Sequence, residues 1–170
     1  MAEGEPVRSY SPNAIHLVRT AQQIQMQLSA MADHKASILM GATFVVFTIA
    51  INQSQRGVLG DAMLVLGLFS FISAVLAVLA ILPTVRPKRD APLNLIFFGS
   101  FTALDEEDYL DRVADKMTTD HEVLRTMARD IYQNGKVLGR KKYRFLGLAY
   151  RVFLVGLVAT FATFVAERFF

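Results

Sequence analysis

The stretch DAMLVLGLFSFISAVLAVLAIL, residues Asp61 to Leu82, decides the fold class of this chain. It carries no charge after its first residue, and its length is close to the roughly 20 residues that a helix needs to cross about 30 Å of hydrocarbon. Its Leu, Ile, Val and Phe side chains each contribute roughly −0.3 to −0.6 kcal/mol to insertion, so the segment favours the bilayer. Residues 61–82 are therefore predicted to form a transmembrane helix.

Two further stretches have the composition of a membrane span. Residues 36–53 carry no formal charge, and residues 145–166 are nearly as apolar but include Arg151. An arginine costs about 2.5 to 3.5 kcal/mol at the bilayer centre and less near an end, where its long side chain reaches the headgroups. Arg151 lies early in its span, so it is interpreted either as an interfacial anchor or as a buried functional charge that faces the other spans.

The overall composition agrees with lipid as the solvent for part of the chain. Hydrophobic residues make up 53% of the 170 residues and charged residues 19%, which is more apolar surface than a soluble domain of this size can bury. The absence of cysteine excludes a disulfide framework and a thiolate metal site. The net charge of +3 comes from Lys and Arg beside apolar stretches, where anionic headgroups attract them, so no nucleic-acid partner is expected.

Basic residues flank the predicted spans unevenly. They follow the second span and precede the third, whereas the connector at residues 54–60 holds only Arg56. The flanking basic residues are Arg86, Lys88, Arg89, Lys136, Arg140, Lys141, Lys142 and Arg144. Because basic loops stay on the cytosolic side, residues 86–142 and the N-terminal residues 1–35 are predicted to be cytosolic in a cell inner membrane. Residues 1–12 lack the features of a signal peptide, so the first span is expected to stay in the mature protein.

A narrow apolar stripe precedes the first span and is called the N-terminal stripe. Its members recur at spacings of three and four residues and are Ala14, Leu17, Ala21, Ile24, Leu28 and Met31. At the same spacing it continues into the first span through Lys35, Ile38, Ala42 and Val45. One helix, with Ser11 as N-cap and Pro12 at the first helical position, is predicted to run unbroken from the cytosol into the membrane. A stripe this narrow indicates a helical partner.

Lys35 falls on the packed face of this helix, at the predicted membrane boundary. One interpretation is a flanking lysine that reaches the headgroups and pairs with Asp33. The other is a cation aimed into a cytosolic pocket that holds an anion. The residues alone leave both interpretations open.

The region between the second and third spans is predicted to be helical. Residues 94–104 form an apolar run too short to span, interpreted as lying against the membrane or the helices. The four acids at residues 105–108 suit the positive end of a helix macrodipole, with Asp105 as the cap, and Thr119 and Glu122 have capping-box spacing. A second stripe, predicted to pack on the N-terminal stripe, consists of Leu124, Met127, Ile131 and Leu138. The predicted fold is all-α, with three transmembrane helices and a cytosolic helical bundle.

No catalytic constellation is present in the sequence. The three histidines, His16, His34 and His121, form no HExxH motif, no GxSxG occurs, and no cysteine can act as a nucleophile. The chain is therefore not expected to be an enzyme, and no catalytic residue, metal site or cofactor is assigned.

Three motifs carry a family resemblance. The segment ADHKASILM at residues 32–40 resembles the D-x-K-A entry to the first span of the small transmembrane effectors of Pycsar antiphage systems. The segment NLIFFGSFTALDEEDYL at residues 94–110 and the pair Lys142 and Tyr143 at the start of the last span resemble the same family. The resemblance extends from about Ile15 to Thr163.

This resemblance implies a role in antiviral defence by abortive infection. In that family a cognate cyclase makes cyclic UMP or cyclic CMP on infection, and the membrane effector responds by impairing the inner membrane. The partners expected from the resemblance are therefore a cyclic pyrimidine nucleotide and the lipid bilayer. A homo-oligomer is also expected, associating through the small faces formed by Gly156 with Thr160 and by Ala159 with Thr163.

Such a ligand carries one phosphodiester charge and a base, so it needs a cation, a polar group that reads the base and an aromatic ring. These types occur near the predicted boundary at Lys35, Asn94, Phe98, Lys142 and Tyr143, and the family pattern adds Asp33. Plain interfacial anchoring is the other interpretation of these residues. Two other functions also stay open, a scaffolding subunit that senses no nucleotide and a small ion channel lined by polar residues of the first span.

Overall fold

The computed structural model describes residues 9–55, 60–83 and 92–169. Over these residues the chain is helical and contains no strand, which confirms the all-α prediction. The helices are α1 (Ala14–Gln55), α2 (Asp61–Ile81), α3 (Phe98–Phe101), α4 (Glu106–Lys116), α5 (Asp120–Val137), a π-helix (Leu138–Tyr143) and α6 (Arg144–Phe169). The basic residues Arg56, Arg86, Lys88 and Arg89, used above to orient the chain, lie outside the described residues.

Three helical stretches are long and apolar enough to cross a membrane, judged by length and composition. They are Ala14–Gln53, Asp61–Ile81 and Asp120–Phe169. The first and third contain the predicted spans at 36–53 and 145–166, and the second ends one residue before the predicted span at 61–82. α1 runs without interruption through the predicted cytosolic segment and the first span. It begins at Ala14, two residues after Pro12, because the Ser11 carbonyl and hydroxyl oxygens already accept the amides of Ala14 and Asn13 in the preceding turn.

The chain divides into two compact units, each described by itself. The first unit comprises residues 1–27 and 83–136, and the second unit comprises residues 28–82 and 137–170. α1 contributes residues to both units, whereas α2 and α6 belong to the second and α3 and α4 to the first.

Small side chains hold the helices of the second unit together. The buried residues of α2 recur at spacings of three and four and include Ser70, Ser73, Ala77 and Ala80. They pack with buried residues of the other two helices of the unit. These are Leu146, Ala149 and Gly156 of α6 and Ala32, Ala36, Leu39 and Thr43 of α1. Lipid offers no hydrophobic force between helices, so close backbone approach and interhelical hydrogen bonds stabilise the packing. Ser73 Oγ donates such a bond to the Ala149 carbonyl at 2.9 Å.

Gly156 is the tightest point of this packing. A Cβ atom at this position would overlap Phe69 Cβ, because the two would be closer than non-bonded carbon atoms approach. The face of α6 that carries Gly156 therefore packs against α2 of the same chain. This accounts for its small residues without a second copy, so the predicted oligomer contact through Gly156 is wrong.

Two side chains bind the ends of α2. At its first turn, Glu167 Oε1 of α6 accepts a hydrogen bond from the Ala62 amide at 3.1 Å. At its last turn, Lys141 Nζ of the π-helix donates to the Leu82 carbonyl at 2.6 Å. A carboxylate at the amino end and an ammonium at the carboxyl end complement the helix macrodipole.

In the first unit, polar side chains of α1 make the hydrogen bonds to α5. Leu17 and Ile24, members of the N-terminal stripe, are 74% and 51% exposed. Gln22 and Gln25 contact α5 instead, roughly a third of a turn round the helix. The prediction that the two apolar stripes pack on each other is therefore wrong for α1, because the glutamines supply the hydrogen bonds that buried groups of α5 need.

α4 and α5 begin with acidic first turns, as predicted. Asp105 occupies the N-cap position of α4, but its side chain makes no capping bond. At α5 the Thr119 hydroxyl accepts the Glu122 amide at 3.3 Å. The Glu122 carboxylate binds Lys116 Nζ at 2.7 Å instead of completing the capping box. The hydrogen bond from the Lys116 ammonium lowers the pKa of Glu122 below its usual range.

Alanine substitution at two glycines of α6 tests the packing of α2 on α6. Gly156→Ala places a methyl group against Phe69 and is expected to destabilise the protein by about 1–3 kcal/mol, the usual cost of overpacking. Gly147→Ala is the matched control, because nothing lies within 4 Å of its Cβ position, and it is expected to stabilise α6 by up to about 1 kcal/mol. Thermal unfolding in detergent micelles measures both. Equal melting temperatures for the two variants would contradict the packing.

Candidate functional site

A six-residue π-helix, LGRKKY at Leu138–Tyr143, directly precedes α6. The π-helix is a rare conformation that occurs mostly as single turns at functional sites. Here it carries three consecutive basic residues, Arg140, Lys141 and Lys142, at the start of the third apolar helix. The segment therefore concentrates positive charge beside the last span.

Lys142 makes the principal ion pair of the second unit. Its Nζ lies 2.8 Å and 2.7 Å from the two carboxylate oxygens of Asp33 and donates to Ser29 Oγ at 2.7 Å. All three donors of the ammonium group are thus used. The side chains are 21% exposed for Lys142 and 46% for Asp33, so the pair is accessible from solvent. It joins α1 to the π-helix.

Two tyrosines add hydrogen bonds to the α1 backbone. The hydroxyl of Tyr143 donates to the Leu28 carbonyl at 3.3 Å, and that of Tyr150 donates to the Lys35 carbonyl at 3.0 Å. Main-chain carbonyls inside a helix have a second lone pair, so these bonds leave the helix intact. Tyr143 therefore has a positioning contact in addition to its ring.

Lys35 is exposed, and its ammonium forms no ion pair with any of the residues in the described ranges. The interpretation that Lys35 pairs with Asp33 is wrong, because both carboxylate oxygens of Asp33 bind Lys142. Along α1, Lys35 follows Asp33 by two residues and so points away from that pair by roughly 200°. This leaves a cation open to an external anion.

Asn94 and Phe98 belong to the first unit. Asn94 is 2% exposed, its Oδ1 accepts the amides of Ile96 and Phe97 at 3.0 Å and 3.2 Å, and its Nδ2 donates to Asp130 Oδ1 at 2.9 Å. Its amide group is therefore occupied at the start of α3. Phe98, the second residue predicted here, is 57% exposed, with its ring 5.0 Å from that of Phe97.

Asp130 of α5 is the centre of a buried network that sequence reasoning missed. It is 5% exposed and accepts hydrogen bonds from Asn94, from Asn134 at 2.8 Å and from Gln22 at 3.3 Å. The signal was present, because Asp130 follows the stripe residue Met127 by three positions and so falls near the same face of α5. The acid was not recognised because a carboxylate there is stable only with amide donors from distant segments.

The geometry thus consists of a basic π-helix, an ion pair to α1 and a free cation, all on helices that continue into apolar spans. A model of the Pycsar effector protein domain matches residues 16–167. The chain belongs to this family. Comparison with curated proteins and with solved structures finds no match.

Membership makes this protein a membrane effector of Pycsar antiphage defence. The matched region begins in the third residue of α1 and ends two residues before the end of α6, so it contains every predicted site residue of the effector. Arg151 of this Pycsar effector is exposed on α6. Its role as an interfacial anchor stays a prediction.

Removal of the Asp130 carboxylate tests the buried network of the effector. Asp130→Ala leaves the amide groups of Asn94, Asn134 and Gln22 without an acceptor, which is expected to destabilise the first unit by about 1–3 kcal/mol. Asp111→Ala, at an exposed acid of α4, is the control and is expected to change the stability by less than about 0.5 kcal/mol. Limited proteolysis between α2 and α6 reports the loss. Identical cleavage of the two variants would show that the network contributes little.

Proposed function

We propose that this Pycsar effector binds cyclic UMP or cyclic CMP and, on binding, impairs the integrity of the cell inner membrane. Infected cells then stop supporting phage, which is abortive infection. Family membership supports the general role, and the arrangement of cations in the second unit supports a response to an anion. In this proposal the effector acts without catalysis, which stays an expectation from the sequence.

The observation that carries the proposal is the Lys142 to Asp33 pair. A phosphodiester is a strong acceptor for an ammonium group and competes directly with a carboxylate for it. Binding at Lys142 would release Asp33 and weaken the connection between α1 and the π-helix. Because both elements lead into apolar spans, the ligand would shift the populations of helix arrangements within the membrane.

The other residues predicted for the site have different roles in this proposal. Lys35 supplies a second, unpaired cation, and Tyr143 offers a ring beside Lys142. Phe98 is exposed in the first unit, and its part in ligand binding stays a prediction. Asn94 is proposed as a support for α3 rather than as a base reader, because its amide already has partners within the fold.

The orientation belongs to the same proposal. The N-terminus and residues 86–142 face the cytosol, where a cyclase releases its product, and Glu167 lies on the opposite side. Arg151 then lies near the cytosolic boundary, where its guanidinium reaches lipid phosphates.

Dye release from liposomes that contain the effector tests the function. Cyclic UMP or cyclic CMP is expected to increase release above that with no nucleotide, and cyclic AMP serves as the purine control. Protein-free liposomes and the same nucleotides give the background. Release that is equal with all nucleotides, or absent with both pyrimidines, would contradict the proposed response.

Substitution of the two cations tests the site itself. Lys35→Ala and Lys142→Ala each remove a charged donor to a phosphodiester, at different faces of α1, and each is expected to weaken binding of the active nucleotide about 10-fold or more, since such bonds contribute about 1.5–3 kcal/mol. Lys116→Ala is the matched control, because Lys116 pairs with Glu122 in the first unit. Isothermal titration calorimetry in detergent measures the affinities. An unchanged affinity for Lys35→Ala would remove Lys35 from the site.

A further inference from the structure

The N-terminal stripe is part of a longer repeat that runs along all of α1. Its positions alternate by three and four residues and repeat every seven. They are Ala14, Leu17, Ala21, Ile24, Leu28, Met31, Lys35, Ile38, Ala42, Val45, Ile49 and Asn52, called here the heptad face. An apolar repeat of seven residues is the pattern of a helix that supercoils with another helix. Lys35 and Asn52 are its polar members.

The heptad face is exposed in both units. In the first unit Leu17 and Ile24 are exposed, and in the second unit Met31, Ile38 and Val45 are 45%, 56% and 56% exposed. The inner face of α1, which includes Ala32 and Ala36, lies roughly a third of a turn away. Contacts among residues 9–55, 60–83 and 92–169 therefore leave most of the heptad face exposed.

Lipid does not explain this face. Its first half precedes Lys35, in the segment predicted to be cytosolic, where apolar side chains would face water. A contiguous exposed apolar surface on a helix in water marks an interaction site. The repeat keeps its phase from that segment into the first span, so one partner helix that crosses the same boundary fits it best.

We propose that the heptad face binds the heptad face of a second copy of this chain, in parallel and in register. The repeat covers about 58 Å at 1.5 Å per residue, and with a helix width of about 10–12 Å the face measures roughly 600–700 Å². Two such faces bury roughly 1,200–1,400 Å², within the range of stable complexes of about 1,200–2,000 Å². Copies with the same orientation in one membrane present identical faces at the same depth, as a parallel pair requires.

Lys35 gives this association a ligand dependence, and this half of the inference rests on the proposed function. In the parallel register Lys35 of one copy meets Lys35 of the other, and two ammonium groups repel each other. A single polar residue at such a position sets the register at a cost in stability. A phosphodiester held between the two lysines removes the repulsion, so Lys35 forms a second anion site, apart from the one at Lys142, that is complete only when two copies meet.

Disulfide crosslinking tests the seam, because the chain has no cysteine of its own. Ile38→Cys lies on the heptad face, and its neighbour Ser37→Cys is the control, exposed but roughly 100° round the helix. In liposomes with a mild oxidant and the active cyclic pyrimidine, Ile38→Cys is expected to form dimers several-fold faster than Ser37→Cys. Equal rates for the two variants, or no dimer with either, would overturn self-association through this face.

Combination with Lys35→Met tests the anion site separately. Ile38→Cys with Lys35→Met is expected to crosslink without nucleotide as fast as Ile38→Cys does with it, and to gain nothing from cyclic UMP or cyclic CMP. Lys136→Met, at an exposed lysine of α5, is the control and should leave the nucleotide dependence unchanged. If Lys35→Met has no effect on crosslinking, the role of Lys35 is overturned. If it increases crosslinking while no nucleotide acts on the parent, the seam stands and the proposed ligand is wrong.

Discussion

Close contact between small side chains is the constraint on which the second unit depends. A bilayer provides no water to accept or donate hydrogen bonds and no hydrophobic gain when one helix meets another. Each helix must therefore satisfy its own backbone hydrogen bonds. The helices must also approach closely enough for dispersion forces and occasional interhelical hydrogen bonds to stabilise their packing. Gly156 against Phe69 and the Ser73 bond to Ala149 satisfy both conditions. The small residues of α2 and α6 are explained by this packing within one chain.

The two units use charge in different ways. In the first unit Asp130 is buried and surrounded by amide donors, an arrangement that fixes structure because removal of any partner leaves a polar group without one. In the second unit the pair between Lys142 and Asp33 is partly exposed and can exchange its carboxylate for another anion. The buried network at Asp130 stabilises the fold, whereas the accessible pair of Lys142 and Asp33 can be reached by a ligand. This difference in burial is the reason for proposing the ligand site at Lys142 and Asp33 and not at Asp130.

The sequence predicts the spans well because insertion depends on summed transfer energies that each residue carries with it. Residues 61–82 needed no tertiary information. Lys142 and Asp33 were singled out by motif, but their pairing depends on how the π-helix turns the lysine toward α1, which no local pattern encodes. The carboxamide of Asn94 predicts a hydrogen bond to the base of a nucleotide, whereas in the structure this group binds Asp130, which is distant in sequence. The apolar stripe of α1 predicts the wrong packing face, because Asp130 and the Ile131 carbonyl of α5 need hydrogen-bond donors, which Gln22 and Gln25 supply.

The two bonds at the ends of α2 have a mechanical consequence. Glu167 and Lys141 lie near opposite ends of the continuous segment formed by the π-helix and α6. Their side chains form hydrogen bonds with the backbone at the first and last turns of α2. With both ends fastened and Gly156 seated against Phe69 between them, α2 and α6 form a stiff hairpin that resists sliding and splaying. Over the described residues of the second unit, the side-chain hydrogen bonds from the π-helix and α6 to α1 fall between Leu28 and Lys35, toward one end of its segment. In the proposed response to a ligand, α1 would then rotate or tilt while α2 and α6 keep their arrangement.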